Sequence, residues 1–555
     1  MDRYARFLFL LCLFSVCESS AQTKPFDVLI KNGHIVDGTG NPWYVADVGI
    51  RDGVIVEIGT LTERAAARAI DARNLTVAPG FIDMMGGSSL PLLLDPASAE
   101  SKLRQGITTM LVGEGESLAP QNESTIKEAL DRSGLRITWR TYAQYFRLLE
   151  EKRIAMNVVH NVGAAQVRRI VIGDEDRAPM PAQLAQMKEL VAQAMKDGAV
   201  GLSTALIYPP GTYAKTEEII ELAKVAAQYG GVYFSHMRNE SSQVLDAIRE
   251  TIRIAEEAHI PAHIYHLKAA GQENWPLMTQ ALKLIEEARD RGIDVTADIY
   301  PYLRNGIGLR SFIHPRHYAA GAQPFLRTLS SPEVRKALRE EIETTSDWEN
   351  WYRHVGKNWD NVLISSAGPR SQANLTGLSI QEVAAKGGVD PWTTFFDLVQ
   401  GGEVFVSPKS MNEEQKQKAL RTSFVAIDTD AAPINPTTAA ANLAESYHPR
   451  AFGAFARVLA KYVREDKVIG LEDAIRKMST LPANRLKLYD RGRISLGMMA
   501  DLVVFDPSRV QDTATFTKPL SYSVGFDYVL VNGQLVIDGG RSTGNLPGAV
   551  IRLRQ

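Results

Sequence analysis

Two histidines thirty residues apart, His236 and His266, each close a short apolar run: Tyr233-Phe234-Ser235-His236 and His263-Ile264-Tyr265-His266. Thirty residues is about one strand–helix unit, so two adjacent parallel strands would present one imidazole each at the same edge. Two neutral imidazoles so placed are suitable zinc ligands. Two other runs end in carboxylates, Ile427-Asp428-Thr429-Asp430 and Val112-Gly113-Glu114-Gly115-Glu116. A carboxylate at such an edge can bind a metal or take a proton from an attacking water. Taken singly, each of these residues reads as a hydrogen-bonded structural group. Four run ends converging on one edge favour a site.

The elements that must position these residues alternate. Continuous apolar runs begin near 76–84, 107–114, 155–162, 199–208, 232–236, 262–266, 295–300, 362–366 and 424–430. Helical patterns separate them, clearest at Thr216–Gln228, 242–258 and 276–291, where apolar residues recur at three- and four-residue spacing. This is the rhythm of βα units and a parallel sheet, and the economical closure is an α/β fold, a (β/α)8 TIM-like barrel. Nine runs are one too many. Either 362–366 or 424–430 is expected to be flanked by inserted structure. A segment at 303–359, holding Trp348, Trp351, His354 and Trp359 but no clean βα unit, is expected to be an inserted lid over the barrel mouth.

The two ends read differently. Short alternating runs separated by Asn32-Gly33, Asp37-Gly38, Asp52-Gly53, Asn532-Gly533 and Asp538-Gly539 predict hairpins. A small composite β-sandwich domain is therefore expected from residues 22–77 and 490–555, with the barrel at 78–489. Residues 1–21 carry Arg3 and Arg6, an apolar stretch from Phe7 to Val16, and the small residues Ser19, Ser20 and Ala21. That is the pattern of a secretory signal, too short to span a bilayer, so export to the periplasm or the exterior is expected, without stable membrane insertion. Both cysteines, Cys12 and Cys17, fall inside this leader. The processed chain would have no disulfide, no thiolate ligand and no thiol nucleophile. A formal net charge of −2 over 555 residues gives no reason to expect nucleic acid as a partner.

Several stretches together carry a resemblance. Ala78-Pro79-Gly80-Phe81-Ile82-Asp83, Gly106-Ile107-Thr108-Thr109, Ser235-His236-Met237-Arg238, His266-Leu267-Lys268, His448-Pro449-Arg450 and Ala500-Asp501-Leu502-Val503-Val504-Phe505-Asp506-Pro507 look like the D-aminoacylase (N-acyl-D-amino-acid deacylase) branch of the amidohydrolase superfamily. The resemblance covers residues 26 to 540. It implies hydrolysis of an amide next to a D-amino acid carboxylate, with a small N-acyl amino acid or peptide as the substrate. It implies that His236 and His266 bind zinc and that Asp430 is the catalytic aspartate. Lys268 and Arg450 would hold the substrate carboxylate with help from the Tyr300 phenol, and a guanidinium suits that task. Tyr208, closing the fourth run, is a further candidate substrate contact.

The departures limit the metal count. After Phe81-Ile82-Asp83 the superfamily has His-x-His, whereas this chain has Met84-Met85-Gly86-Gly87. A thioether is a weak zinc ligand and glycine offers none. The family's cysteine near the second run is also missing, leaving Glu114 as the substitute ligand and Glu116 as its competitor. One zinc held by Glu114, His236 and His266 is expected, with an open position for chemistry. A cyclic-amide hydrolase, a dipeptidase and a catalytically silent binding protein stay open as alternatives, as does oligomeric state. Of the other histidines, His160 and His263 read as packed core residues.

Overall fold

The computed structural model describes residues 24–61, 63–318, 321–345, 347–366, 375–439 and 447–553. The leader expected at residues 1–21 lies outside them. The two chain ends meet in one nine-stranded sheet. Leu502–Phe505 runs antiparallel to Thr76–Pro79, with Leu502 opposite Pro79 and Phe505 opposite Thr76, so a single ladder joins the termini. Val28, Ile30, Val48, Ile50, Leu502 and Val504 close an apolar core on one side of it. The strands of this composite domain form one continuous hydrogen-bonded sheet. Asp52-Gly53 and Asn532-Gly533 turn as predicted, with φ of 51° and 78° in the first and 48° and 79° in the second. Asn32-Gly33 does not: the strand Phe26–Ile35 runs through it with a bulge between Ile30 and Gly33. A bulge uses the same dipeptide chemistry as a turn, so local sequence does not separate the two.

The barrel is built from eight strands. In order they are Phe81–Asp83, Ile107–Val112, Asn157–His160 with its continuation Val162–Gly163, Gly201–Ala205, Val232–His236, Ala262–Ile264, Val295–Ile299 and Val425–Ile427. Every pairing between neighbours is parallel. The helices Thr216–Gln228, Val244–Ala258 and Leu277–Asp290 turn their Ile, Leu, Val and Ala faces onto the strands. Backbone ladders link the first strand to the second and the seventh to the eighth, but the eighth meets the first through side chains. There the Thr429 amide and hydroxyl donate to Asp83 Oδ1 and Oδ2 at 2.9 and 2.6 Å.

The surplus ninth run is resolved by its partner. Val362–Ser366 pairs antiparallel with Phe405–Pro408, which also pairs with Ile307–Gly308, in a three-stranded sheet outside the barrel. The insertion therefore extends beyond the expected 303–359, as far as Pro408. It encloses its own aromatic core, in which Trp359 packs on Phe312, Tyr352, Trp392 and Phe395. A five-residue apolar run does not specify its sheet; the strand that pairs with it lies some forty residues on. Among the described residues no helix is long and apolar enough to cross a membrane.

Phe81 couples barrel and β-domain. Its ring lies 5.8 Å from that of Phe455, 6.4 Å from Phe505 and 6.3 Å from Phe526, with no exposure. Phe81→Ala is expected to destabilise the chain by about 3–5 kcal/mol, measured as a lower midpoint in urea unfolding.

Candidate metal centre and active site

Three of the expected ligands converge at the C-terminal rim. Glu114 stands two residues beyond the second strand, on a turn that Gly115 makes possible: its φ is 62° and a Cβ there would lie 2.6 Å from that of Ala205. His236 is the last residue of the fifth strand, and His266 follows the sixth by two residues. Ligand atoms of Glu114, His236 and His266 all lie within 4.8 Å of one another. Glu114 Oε1 is 2.5 Å from His236 Nδ1 and 3.3 Å from His266 Nε2. Glu116 points elsewhere, to Arg169 at 2.6 Å, so Glu114 is the carboxylate that the fold brings to the histidines.

The electrostatics favour a cation between these groups. Burial works against ionising Glu114, yet His236 and His266 overcome it and hold the carboxyl well below the usual carboxylate range. Burial and the Lys268 ammonium press His266 down, but Glu240 and Glu114 prevail and raise it to about 10. Two imidazole nitrogens and an ionised carboxylate oxygen, converging within reach of one point, form a donor set suited to zinc.

Glu240 was not singled out in the sequence, although it lies four residues after His236. Its Oε1 is 2.9 Å from His266 Nδ1 and 2.5 Å from Lys268 Nζ, and Oε2 is 3.8 Å from His236 Nε2. An anionic carboxylate this close to the imidazole makes the ring more basic and so a stronger donor toward the metal position. Lys268 is accordingly not a free cation: it is buried, and its ammonium sits against Glu240 and against His266 Nδ1 at 2.6 Å. Beneath them, His263 bridges Thr296 at 2.7 Å and Asp298 at 2.9 Å, and Asp298 accepts from the His266 amide. His160 lies away from the centre, bonded to Ser89 at 2.8 Å and ringed by Tyr142, Tyr145 and Phe146; burial depresses its pKa to about 3.

Asp430 lines the same cavity of about 100 Å³ as the three donors. Its φ is 45° and that of His266 is 36°, left-handed backbone that costs an L-residue roughly 1–3 kcal/mol. Asp430 Oδ2 accepts from Arg450 Nη1 at 2.5 Å, and the guanidinium carbon lies 4.9 Å from the centroid of the Tyr300 ring. Arg450 Nη2 abuts Gly306, a cavity residue, where a Cβ would lie only 3.1 Å away. Tyr300 is buried, its ring also facing Lys416 at 4.3 Å and Lys268 at 5.8 Å. Tyr208 is exposed at the mouth, edge-on to His236 at 5.5 Å. Trp351 and Ile307 bring the insertion into the cavity wall.

The first-strand position is filled by packing. Met85 is buried against Leu111 and Val159 among others. Gly87, with φ of 66°, lets the backbone approach so closely that a Cβ would lie 2.8 Å from the Ala432 nitrogen. A histidine side chain has no room there. If the Glu240 charge supports His266 as a metal donor, Glu240→Gln should weaken metal binding roughly 10- to 100-fold, read by chelator competition; unchanged affinity would refute that role.

A model of the amidohydrolase family matches residues 68–537. The chain is 33% identical over 537 residues to the D-aminoacylase of Alcaligenes xylosoxydans xylosoxydans, covering 96% of this chain and 99% of that one. It is equally similar, 33% over 531 residues, to that organism's N-acyl-D-glutamate deacylase, covering 95% and 97%. The crystal structure of the N-acyl-D-glutamate deacylase of Bordetella bronchiseptica, complexed with zinc and a phosphonate that mimics the tetrahedral intermediate, superposes with a TM-score of 0.79 at 32% identity over 95% of this chain and all of that one. Strand ends, three-donor cluster and full-length similarity agree: the chain belongs to the amidohydrolase family, in its N-acyl-D-amino-acid deacylase branch.

Proposed function

We propose that this protein is a zinc-dependent hydrolase of linear amides that deacylates N-acyl-D-amino acids or related D-residue peptides, using one metal ion. The observation that carries the reading is the convergence of Glu114, His236 and His266 beside Asp430 in one small cavity. Zinc held by those three would supply Lewis acidity, making water nucleophilic at neutral pH and polarising the amide carbonyl.

The protein's own groups do the rest. The Asp430 carboxylate takes the proton of the attacking water and returns it to the leaving amine nitrogen, as a general base and then a general acid. Arg450 gives Nη1 to Asp430, and its Nη2, which lies against Gly306 of the cavity wall, would be the donor that grips the substrate carboxylate. Lys268, which lines the cavity, holds Glu240 and stands directly against His266, and from there it would also meet the substrate carboxylate. Tyr300 supplies the aromatic face on which the Arg450 cation rests. Tyr208 at the mouth, with Ile307 and Trp351 from the insertion, borders the substrate and helps to exclude water. The leader at residues 1–21 supports export to the periplasm or exterior, which cell fractionation of the tagged chain would test.

The purified protein is expected to bind one zinc per chain and to release free amino acid from N-acyl-D-amino acids. His236→Ala should lose the metal. Asp430→Asn should keep it while kcat falls roughly 10²- to 10⁴-fold. Full activity in metal-free protein would sink the proposal.

A further inference from the structure

Asp430 occupies a strained left-handed backbone, so something must hold it there. The two residues beside it, Thr429 and Ala431, are both tied to one buried cation. Lys102 lies on the short helix Glu100–Leu103 that leads into the second barrel strand, and its side chain has no exposure. Its ammonium has three acceptors and three protons to give: Asp83 Oδ2 at 2.8 Å, Thr429 Oγ1 at 2.5 Å and the Ala431 carbonyl at 2.6 Å. Asp83 completes the arrangement. Its Oδ1 accepts from the amides of Thr429 at 2.9 Å and Met85 at 3.2 Å, and its Oδ2 accepts from the Thr429 hydroxyl at 2.6 Å. The hydroxyl thus receives from Lys102 and has Asp83 Oδ2 as its nearest acceptor, ahead of the Ala431 carbonyl at 3.2 Å and the Met85 carbonyl at 3.4 Å.

The location gives this cluster a task beyond packing. It sits at the seam where the eighth strand meets the first, the one junction of neighbouring barrel strands in the described residues with neither a backbone ladder nor a direct continuation. The chain leaves the eighth strand at Ile427, and Asp430 follows three residues later with no strand partner to set its direction. On the far side, the backbone of Gly87 closes against Ala431 and Ala432. The turn bearing Asp430 is therefore held from below by Lys102 and Asp83, and laterally by the first-strand loop.

We propose that Lys102, Asp83 and Thr429 form the positioning cluster of Asp430, fixing its backbone turn and so the reach of its carboxylate to the reacting atoms. The cluster touches neither substrate nor metal ligands; it acts through the two peptide units that flank the aspartate. The inference rests on the reading of Asp430 as the proton-carrying group.

The test uses the full-length, zinc-loaded protein and four variants: Thr429→Ser, Thr429→Val, Lys102→Met and Lys102→Arg. Valine keeps the shape of threonine and removes the hydroxyl, whereas serine restores it. A carboxylate misplaced by about 1 Å should cost kcat roughly 100-fold, so Thr429→Val and Lys102→Met are expected to lose that much. KM and zinc content should stay at wild-type values, and the acid limb of the kcat–pH profile should move. Thr429→Ser should recover kcat and the profile, while Lys102→Arg, with a larger head group in the same enclosure, should not. A purely structural role would lower thermal stability and leave the profile where it is. Folded Thr429→Val with wild-type kcat and an unmoved acid limb would overturn this inference alone. So would loss of zinc in step with loss of kcat. Should Lys102→Met fail to fold, the serine–valine pair decides the matter. A wild-type protein that turns over no N-acyl-D-amino acid counts against the reading of the site itself and takes this inference with it.

Discussion

Burying several charges in one barrel mouth is tolerable only if each is answered by another, and the centre depends on that compensation. Glu240 is the clearest case. Its carboxylate lies fully inside the protein, where it meets the Lys268 ammonium and the His266 ring nitrogen within hydrogen-bond distance. Remove the carboxylate and Lys268 becomes an unanswered cation against a ring whose lone pair is needed elsewhere. The same logic pairs Asp430 with Arg450 and Asp83 with Lys102. Acidic and basic groups alternate around the rim, and each pairing also sets a direction.

The insertion shares in this arrangement. Beyond placing Ile307 and Trp351 in the cavity wall, it sends the Glu349 carboxylate onto the backbone amide of Glu240. Burial, with the neighbouring Glu240 charge, raises the Glu349 pKa above the usual carboxylate range. A segment with its own aromatic core therefore rests directly on the loop that supports His236 and His266. Such a contact joins the rigidity of the insertion to that of the centre, as precise sites require of their supporting groups.

Much of the barrel was legible because its grammar is local. A parallel strand buried on both faces is a continuous apolar run, and a helix outside it carries apolar residues at helical spacing. Counting such runs leads to eight strands plus one, and the excess run is the one whose partner is distant. The hairpin dipeptides were equally readable, except where Asn32-Gly33 serves a bulge. Side-chain destinations were less so. Lys268 and Arg450 stand next to the residues that the motifs suggested, but Lys268 turns to Glu240, and Arg450 gives one end of its guanidinium to Asp430 and rests the other against Gly306.

From the chain alone came the placement of Glu114, His236, His266 and Asp430 at strand ends, because strand length and βα period carry those residues to one rim whatever their side chains do. The sequence also determined that no histidine pair follows Asp83. Only the tertiary structure decided that Glu114 and not Glu116 joins the histidines, since one turn of backbone at Gly115 separates the two directions. It alone revealed Glu240 behind His266 and Lys102 behind Asp430. Asp83 and Thr429 are 346 residues apart in the chain, and Lys102 and Thr429 are 327 apart. Hydrogen bonds of that span are specified by the closure of the barrel, which no local pattern records.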